Sequence, residues 1–393
     1  MNYPQYVKVV LDKLTVAGFE AYIVGGSLRD MIIGRTPSDF DVTTSALPDE
    51  ILTVFSDMKT IPTGLKYGTI TVLSDGEPIE VTTFRTDGEY LDSRHPESVS
   101  FTSDVCEDLS RRDFSVNAIA YNEKRGIVDP FGGEDDIKRK LLRAVGDSDT
   151  RMKEDALRIM RALRFSAQLG FTIEENTLAA LERTKDGLAG ISRERIGVEM
   201  AKLVTSQEPS EPLRTMLKTK ISKYVLGDYI PNEKLILSLS LLPANFFIRF
   251  SCLLWECNKE QAREILNSLK YSNAQKSGVL TILSARFMPL PKNDAEARRF
   301  IISLGKYYEG AAIILKALGN MPENIYSNIQ RVALTDFAKN ISELKISGND
   351  LISLGISGKD IGKMLEYLFE IVTDDPMLNT KEELIKIIKT RIF

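Results

Sequence analysis

The chain has 393 residues, 43% of them hydrophobic and 27% charged, with a formal net charge of −4. This is ordinary globular composition, with length for roughly two to four domains, and its acidic balance excludes a sequence-independent nucleic-acid coat while leaving room for a local basic groove. No apolar run approaches the roughly 18 to 20 residues that span a bilayer, and the start lacks the apolar core of a signal peptide, so a soluble, cytoplasmic protein with no membrane association is expected.

Up to about Phe131 the sequence mixes short β-type runs at 21–24, 69–73 and 79–84 with amphipathic stretches and Gly/Pro/Asp turns, which reads as a compact α/β domain. From Ile137 onward apolar residues recur at three- and four-residue spacing, as in Ala156, Leu157, Met160 and Leu163, and again over 344–369. The remainder is expected to be all-helical. Breaks rich in Pro and polar residues at 206–212 and 288–294 divide it into three segments. Cys106, Cys252 and Cys257 have neither a disulfide framework nor metal-ligand spacing and read as small apolar residues. The single histidine, His95, lies in Arg94-His95-Pro96 and reads as a loop residue without a catalytic task.

Ile23-Val24-Gly25-Gly26-Ser27-Leu28-Arg29-Asp30 is a buried strand running through a Gly-Gly turn into a helix. Such a turn exposes backbone N–H groups at a helix N-terminus, where a triphosphate would meet the free amides, the Ser27 hydroxyl and the Arg29 guanidinium. By itself a Gly pair after a strand reads as a tight turn. The next segment, Ser38-Asp39-Phe40-Asp41-Val42-Thr43, sets two carboxylates two residues apart on a strand, so that both project from one face. On a further strand, Ile79-Glu80-Val81 holds one acid between apolar neighbours, facing the same ions. Three hard oxygen ligands without His or Cys point to Mg²⁺, and an isolated Asp-x-Asp would otherwise read as a solvated loop or an N-cap. Carboxylates next to a phosphate cradle suit two-metal transfer, with one ion acidifying an attacking hydroxyl and the other neutralising the triphosphate and leaving pyrophosphate.

Over 154–164 the sequence EDALRIMRALR reads as one helix on which Asp155, Arg158, Arg161 and Arg164 follow at three-residue steps, forming a slanted polar stripe. One such pair alone would read as a salt-bridged solvent face. Three arginines interleaved with Leu, Ile and Met imply a helix mostly surrounded by protein. An Asp/Arg pair there can discriminate bases: cytosine and adenine each offer an exocyclic amino donor beside an unprotonated ring nitrogen, matching a carboxylate acceptor beside a guanidinium donor. Uracil and guanine mismatch both contacts, at a cost of about 1 to 3 kcal/mol per buried group.

Taken in order, Gly25-Gly26-Ser27-Leu28-Arg29-Asp30, Asp39-Phe40-Asp41, Arg111-Arg112-Asp113-Phe114-Ser115-Val116-Asn117-Ala118, Asp129-Pro130-Phe131-Gly132-Gly133 and the helix at 154–164 resemble the bacterial class II tRNA nucleotidyltransferases, the CCA-adding enzymes of the polymerase-beta-like superfamily. The resemblance covers roughly the first 200 residues. It implies an α+β fold, with a polymerase-beta-like nucleotidyltransferase head over 1–143 followed by an elongated all-α neck over 144–206, body over 207–290 and tail over 291–393. It also implies that Asp39 and Asp41 bind Mg²⁺, that Gly26 and Arg29 hold the triphosphate, and that Arg112, Asp155, Arg158, Arg161 and Arg164 line the nucleotide pocket, with Asp155 and Arg158 as the protein template. Residues 85–100 resemble the loop that switches such enzymes from CTP to ATP. The tail segments 346–351 and 355–362 resemble helix starts that contact RNA, against which simple helix capping stands as the alternative. Leu28 departs from the Ala or Ser pattern of the first motif, and 208–291 carries no motif. The implied reaction adds C, C and A to a tRNA lacking a complete CCA end, from CTP and ATP, with no stable protein partner. The rival readings are a poly(A) polymerase or an A-only or CC-only enzyme of the same class, and a catalytically silent RNA-binding protein on the same fold.

Overall fold

The computed structural model describes residues 1–88 and 99–392. His95 and most of the loop at 85–100 therefore lie outside the described residues. The chain forms two compact units, Met1–Ile230 and Pro231–Phe393.

The first unit opens with α1 (Gln5–Val16), β1 (Ala21–Val24), α2 (Gly25–Ile33), β2 (Asp41–Thr44), α3 (Pro48–Val54), β3 (Lys59–Gly64), β4 (Thr69–Ser74), β5 (Glu77–Thr83), β6 (Arg85–Asp87), β7 (Val99–Phe101), α4 (Val105–Ser110), β8 (Ala120–Asn122), β9 (Gly126–Val128) and α5 (Gly133–Arg139). Among the described residues, seven strands form one sheet in the order β3-β4-β5-β2-β1-β8-β9. Pairing is antiparallel except between β2 and β5. All four residues of β1 are buried, as a central apolar strand requires. By contrast β5 turns Ile79, Val81 and Thr83 inward and Glu80 outward, the period-two alternation of a half-covered strand. Tyr22, Val24, Phe84, Leu109 and Val145 form part of a buried core beside it. Leu28 is fully buried, so the departure at this position serves packing.

Helices take over with α6 (Ser148–Glu154), α7 (Leu157–Leu169), α8 (Glu175–Thr184), α9 (Arg193–Val204), α10 (Ser210–Lys218) and α11 (Ser222–Leu226), interrupted by the short strands β10 (Leu141–Leu142) and β11 (Thr172–Ile173). These two strands pair in parallel and correct the expectation of purely helical structure beyond Ile137. A second correction concerns the helix expected over 154–164. It is broken at Asp155, which lies extended at φ −136°, ψ 101° between α6 and α7. Its carboxylate accepts the Leu157 amide at 2.9 Å, so it caps the start of α7, a task for which a short acid competes well against helix interior.

The second unit runs from α12 (Glu233–Leu239) through α13 (Phe246–Leu253), α14 (Lys259–Ser268), α15 (Asn273–Ser284), α16 (Asp294–Leu304), α17 (Tyr308–Ala317), α18 (Glu323–Ala333), α19 (Gly348–Ser353) and α20 (Lys359–Asp374) to α21 (Lys381–Ile392). Phe246 stacks on Phe250 at 5.2 Å between ring centroids, and Tyr271 closes on both. Leu351, Leu368, Val372, Leu384 and Ile388 build a second apolar cluster. Buried Arg298 of α16 donates to the carbonyls of Thr373 and Asp374, satisfying the C-terminal end of α20. Of the two tail segments, α19 is closed by a capping box in which Ser347 and Asp350 exchange hydrogen bonds. The start of α20 at Gly358 has no side-chain cap.

Candidate functional site

A cavity of about 870 Å³ in the first unit is lined by Gly25, Gly26, Arg29, Asp39, Asp41, Arg112, Asp155, Arg158, Arg161 and Arg164, all expected from sequence. That size suits a nucleotide. Two expected residues are absent from the lining. Ser27 is buried and donates its hydroxyl to the Val24 carbonyl at 3.0 Å, closing the first turn of α2 rather than facing the cavity. Glu80 is exposed and sits in register with Asp41 across the β2–β5 pair.

One wall comes from the sheet and α2. Asp41 opens β2, whereas Asp39 lies in the bend before it and not on the strand, with the Ser38 hydroxyl donating to its carboxylate at 3.0 Å. Burial pushes the Asp41 carboxyl up to about 6, Arg112 opposes this, and the negative charges of Glu80 and Asp39 add to it. Gly25 has φ +72°, and a Cβ there would meet the Arg112 Nη1 at 3.1 Å and the Asp41 Oδ2 at 3.8 Å. Only glycine lets the chain pass this close to both groups. Arg29 donates to Asp30 at 2.8 and 2.9 Å and to Asn117 at 2.6 Å.

Arg112 is anchored by Asp108, a fully buried acid on α4 that also bonds Arg111 at 2.6 Å. Burial works against the Asp108 charge, but the two guanidiniums hold its carboxyl below the usual range. The Arg112 Nε is buried without a hydrogen-bond partner among the described residues. Asp108 was not picked out from sequence, although its i,i+3 and i,i+4 spacing to Arg111 and Arg112 was a readable signal.

The facing wall is α7 with its neighbours. Arg158 donates to Glu154 at 2.6 Å and to the carbonyls of Arg151 and Arg111 at 2.9 and 3.1 Å. Arg161 grips Asp113 through Nε and Nη2 at 2.8 and 2.6 Å. Burial opposes the Asp113 charge, yet Arg161 and Arg158, together with Asn117, bring its carboxyl down to about 2. Arg164 bonds Glu199 of α9 at 2.5 Å and Gln168 at 2.8 Å. The guanidiniums of Arg29, Arg161 and Arg164 surround the Phe165 ring, at 5.3, 5.2 and 3.8 Å from its centroid. Asp155 pairs with Arg195 of α9 at 3.0 Å, and no bond joins it to Arg158. Asp113, Asn117, Phe165, Arg195 and Glu199 were all missed as site residues. Arg195, Glu199 and Asp113 meet their arginine or acid partners 40, 35 and 48 residues away, and Asn117 meets Arg29 88 residues away, so no local spacing announces those contacts, whereas Phe165 lies within one turn of Arg161 and Arg164.

Comparison with known proteins agrees along the whole chain. The poly A polymerase head domain matches residues 21–143, the probable RNA and SrmB-binding site of polymerase A matches 170–231, and tRNA nucleotidyltransferase domain 2 matches 248–388. The CCA-adding enzyme of Pediococcus pentosaceus is 37% identical over 384 residues, covering 95% of this chain and 94% of that one. This chain belongs to the CCA-adding enzyme family. The family's Geobacillus kaustophilus member is 36% identical over 384 residues, again covering 95% of this chain and 94% of its own. A crystal structure of the Bacillus stearothermophilus CCA-adding enzyme in complex with CTP superposes with a TM-score of 0.84 at 31% identity, over 100% of this chain and 99% of that one. The chain is thus an enzyme of the nucleotidyltransferase class, with the α+β fold expected: a polymerase-type head joined to helical structure. Among the described residues no helix is long and apolar enough to cross a membrane.

Membership implies use of a divalent metal ion, and the donor set fits one. Two carboxylates converge where burial and like charge already disfavour a bare anion, a situation that a hard cation relieves. Among the described residues no three His, Cys, Asp or Glu side chains gather into a site that could hold an ion. Two acids among the described residues leave the rest of a hard divalent cation's ligand set to come from outside the protein.

Proposed function

We propose that the protein adds C, C and A in succession to the 3′ end of tRNA lacking a complete CCA end, using CTP and ATP and releasing pyrophosphate, in the cytoplasm. The observation that carries this reading is a single cavity lined both by the Asp39 and Asp41 carboxylates and by the Asp155, Arg158, Arg161 and Arg164 side chains. The 37% identity to a CCA-adding enzyme over nearly the full length of both chains supports it, as does similarity to the Bacillus stearothermophilus enzyme solved with CTP.

In this reading Asp39 and Asp41 hold Mg²⁺, and Glu80 adds negative potential from the neighbouring strand. When bound, the metal supplies Lewis-acid chemistry, acidifying a 3′-hydroxyl and offsetting charge on a triphosphate. Gly25 and Gly26 keep side chains away from the start of α2, where backbone amides meet the phosphates. Arg29 and Arg112 add positive charge there, and the unpartnered Arg112 Nε has a donor to offer. Asp155 accepts the exocyclic amino group of cytosine or adenine, and Arg158, whose present bonds leave N–H groups over, donates to the ring nitrogen. Arg161 and Arg164 border the same nucleotide. We retain the division into head, neck, body and tail, with the helical segments beyond the neck carrying the tRNA.

The test incubates the protein with Mg²⁺, tRNA ending before CCA, and each nucleotide singly and together. CTP alone extends the tRNA by two residues, ATP adds one only after both, and UTP adds none. Long A-tails on RNA without tRNA shape would mark a poly(A) polymerase, and no addition at all would leave an RNA-binding protein.

A further inference from the structure

Three residues of α9, Arg195, Glu199 and Lys202, follow at helical i, i+4, i+7 spacing and so share one face of that helix. Arg195 and Lys202 line the cavity, and Glu199 holds Arg164 across the α7–α9 contact at 2.5 Å. This face is a third wall of the site, built from residues that the reading of 154–164 does not include.

Arg195 is the member with direct leverage on base choice. Its Nη2 donates to Asp155 Oδ2 at 3.0 Å, while Asp155 Oδ1 accepts the Leu157 amide at 2.9 Å. Each carboxylate oxygen accepts two hydrogen bonds, so one acceptor direction per oxygen is left for a ligand. Anchored at both ends, the carboxylate cannot rotate about its Cβ–Cγ bond without breaking a charge-assisted bond. The Arg195 Nη1 is buried yet has no hydrogen-bond partner among the described residues. The guanidinium therefore has a second arm directed at nothing the protein supplies. The Arg164–Glu199 pair, one helical turn further along α9, ties the same helix face to α7.

We propose that Arg195 is a positioning residue for nucleotide selection: it fixes the plane of the Asp155 carboxylate, so that the surface met by an incoming base is acceptor-only. A cytosine or adenine amino group satisfies that surface, whereas a uracil or guanine carbonyl is held against an anion that cannot turn away. Without Arg195 the carboxylate swings, and rejection of the carbonyl weakens. The proposal rests on the reading of Asp155 as the group that meets the base.

The experiment compares full-length wild type, Arg195→Met, Arg195→Lys and Asp155→Ala with tRNA ending before CCA, measuring kcat/KM for CTP and for UTP alongside the thermal midpoint. Arg195→Met, which keeps the aliphatic stem, lowers the CTP-over-UTP ratio by about tenfold or more, and Arg195→Lys, which retains one cationic donor, restores part of it. Equal losses with both nucleotides, leaving the ratio unchanged while Asp155→Ala abolishes selectivity, would overturn the role of Arg195 and leave that of Asp155 standing. Retained selectivity in Asp155→Ala would overturn the reading of Asp155 itself. If Arg195→Met fails to melt cooperatively, Arg195→Lys decides: a CTP-over-UTP ratio below wild type with a native thermal midpoint supports positioning by the guanidinium, and a ratio equal to wild type overturns it.

Discussion

The sheet wall and the α7 wall of the cavity handle charge in opposite ways. On the sheet wall Asp41 carries a carboxylate pushed up to about 6 by burial and by its acidic neighbours, and Arg112 presents a buried Nε with no hydrogen-bond partner among the described residues. On the α7 wall each arginine of the stripe already has an acid: Arg158 with Glu154, Arg161 with Asp113, Arg164 with Glu199. The first wall is left incomplete and gains from a ligand. On the second, every arginine of the α7 stripe is held by an acid before any ligand arrives, which leaves its N–H groups over in a fixed orientation. A site that performs one chemistry on two nucleotides needs both properties, a reactive end that is relieved by binding and a reading end that does not reorganise.

Four experiments would break or sharpen that contrast. The largest effect belongs to Asp41→Asn, which removes the charge and keeps the shape: addition of C slows by about a thousandfold, the worth of several kcal/mol, in single-turnover assays. In chelator the same variant is more stable than wild type by about 1 kcal/mol or more in urea titrations, because a carboxylate whose folded pKa is raised destabilises the fold above that pKa. A wild type as stable as the variant at pH 7 would show that the sheet wall is not strained.

Next is Glu199→Gln, which leaves Arg164 buried beside an uncharged partner. Breaking such a pair costs about 3 kcal/mol, read as a fall in the urea midpoint, and a change below about 0.5 kcal/mol would mean that the α7 wall does not depend on its acids. The third effect is acid sensitivity. Asp113 has a folded pKa of about 2, below its unfolded value near 4, so its contribution is fully present above pH 4 and is lost as pH falls toward 2. Unfolding free energy drops by roughly 2 kcal/mol across that window, and Asp113→Asn flattens the slope there. A slope unaltered by that substitution would contradict the Arg161–Asp113 assignment. The smallest is Gly25→Ala, which places a Cβ 3.1 Å from Arg112 at a positive φ. It costs about 1 kcal/mol of stability and raises the KM for both CTP and ATP, whereas an effect on one nucleotide alone would move Gly25 from phosphate to base.

Much of this was legible in the residues themselves. Alternation in β5 and the apolar run of β1 announced strands, and three- to four-residue spacing announced α7 and the later helices. Gly25, Asp39 and Asp41 stood out because strand, turn and acid follow within a short stretch, and the structure brings them to one cavity. The break at Asp155 was not legible. Residues 154–164 satisfy helical periodicity throughout, and only the competition between the Asp155 side chain and the backbone ends α6 there. Ser27 was misjudged for a similar reason, since a serine beside a glycine turn suits a phosphate as well as it suits the Val24 carbonyl.

By itself the sequence determined the change from a mixed head to a mostly helical remainder, the acids of the sheet wall and the arginines of α7, because those features arise within a few residues of one another and obey strand and helix periods. Only the tertiary structure decided which acid holds which arginine. Asp155 finds Arg195 across 40 residues and Arg161 finds Asp113 across 48, through the packing of α7 against α9 and against the head. Spacing along a chain encodes neighbours one turn away, whereas partners at such separations depend on the angle and distance at which two elements pack.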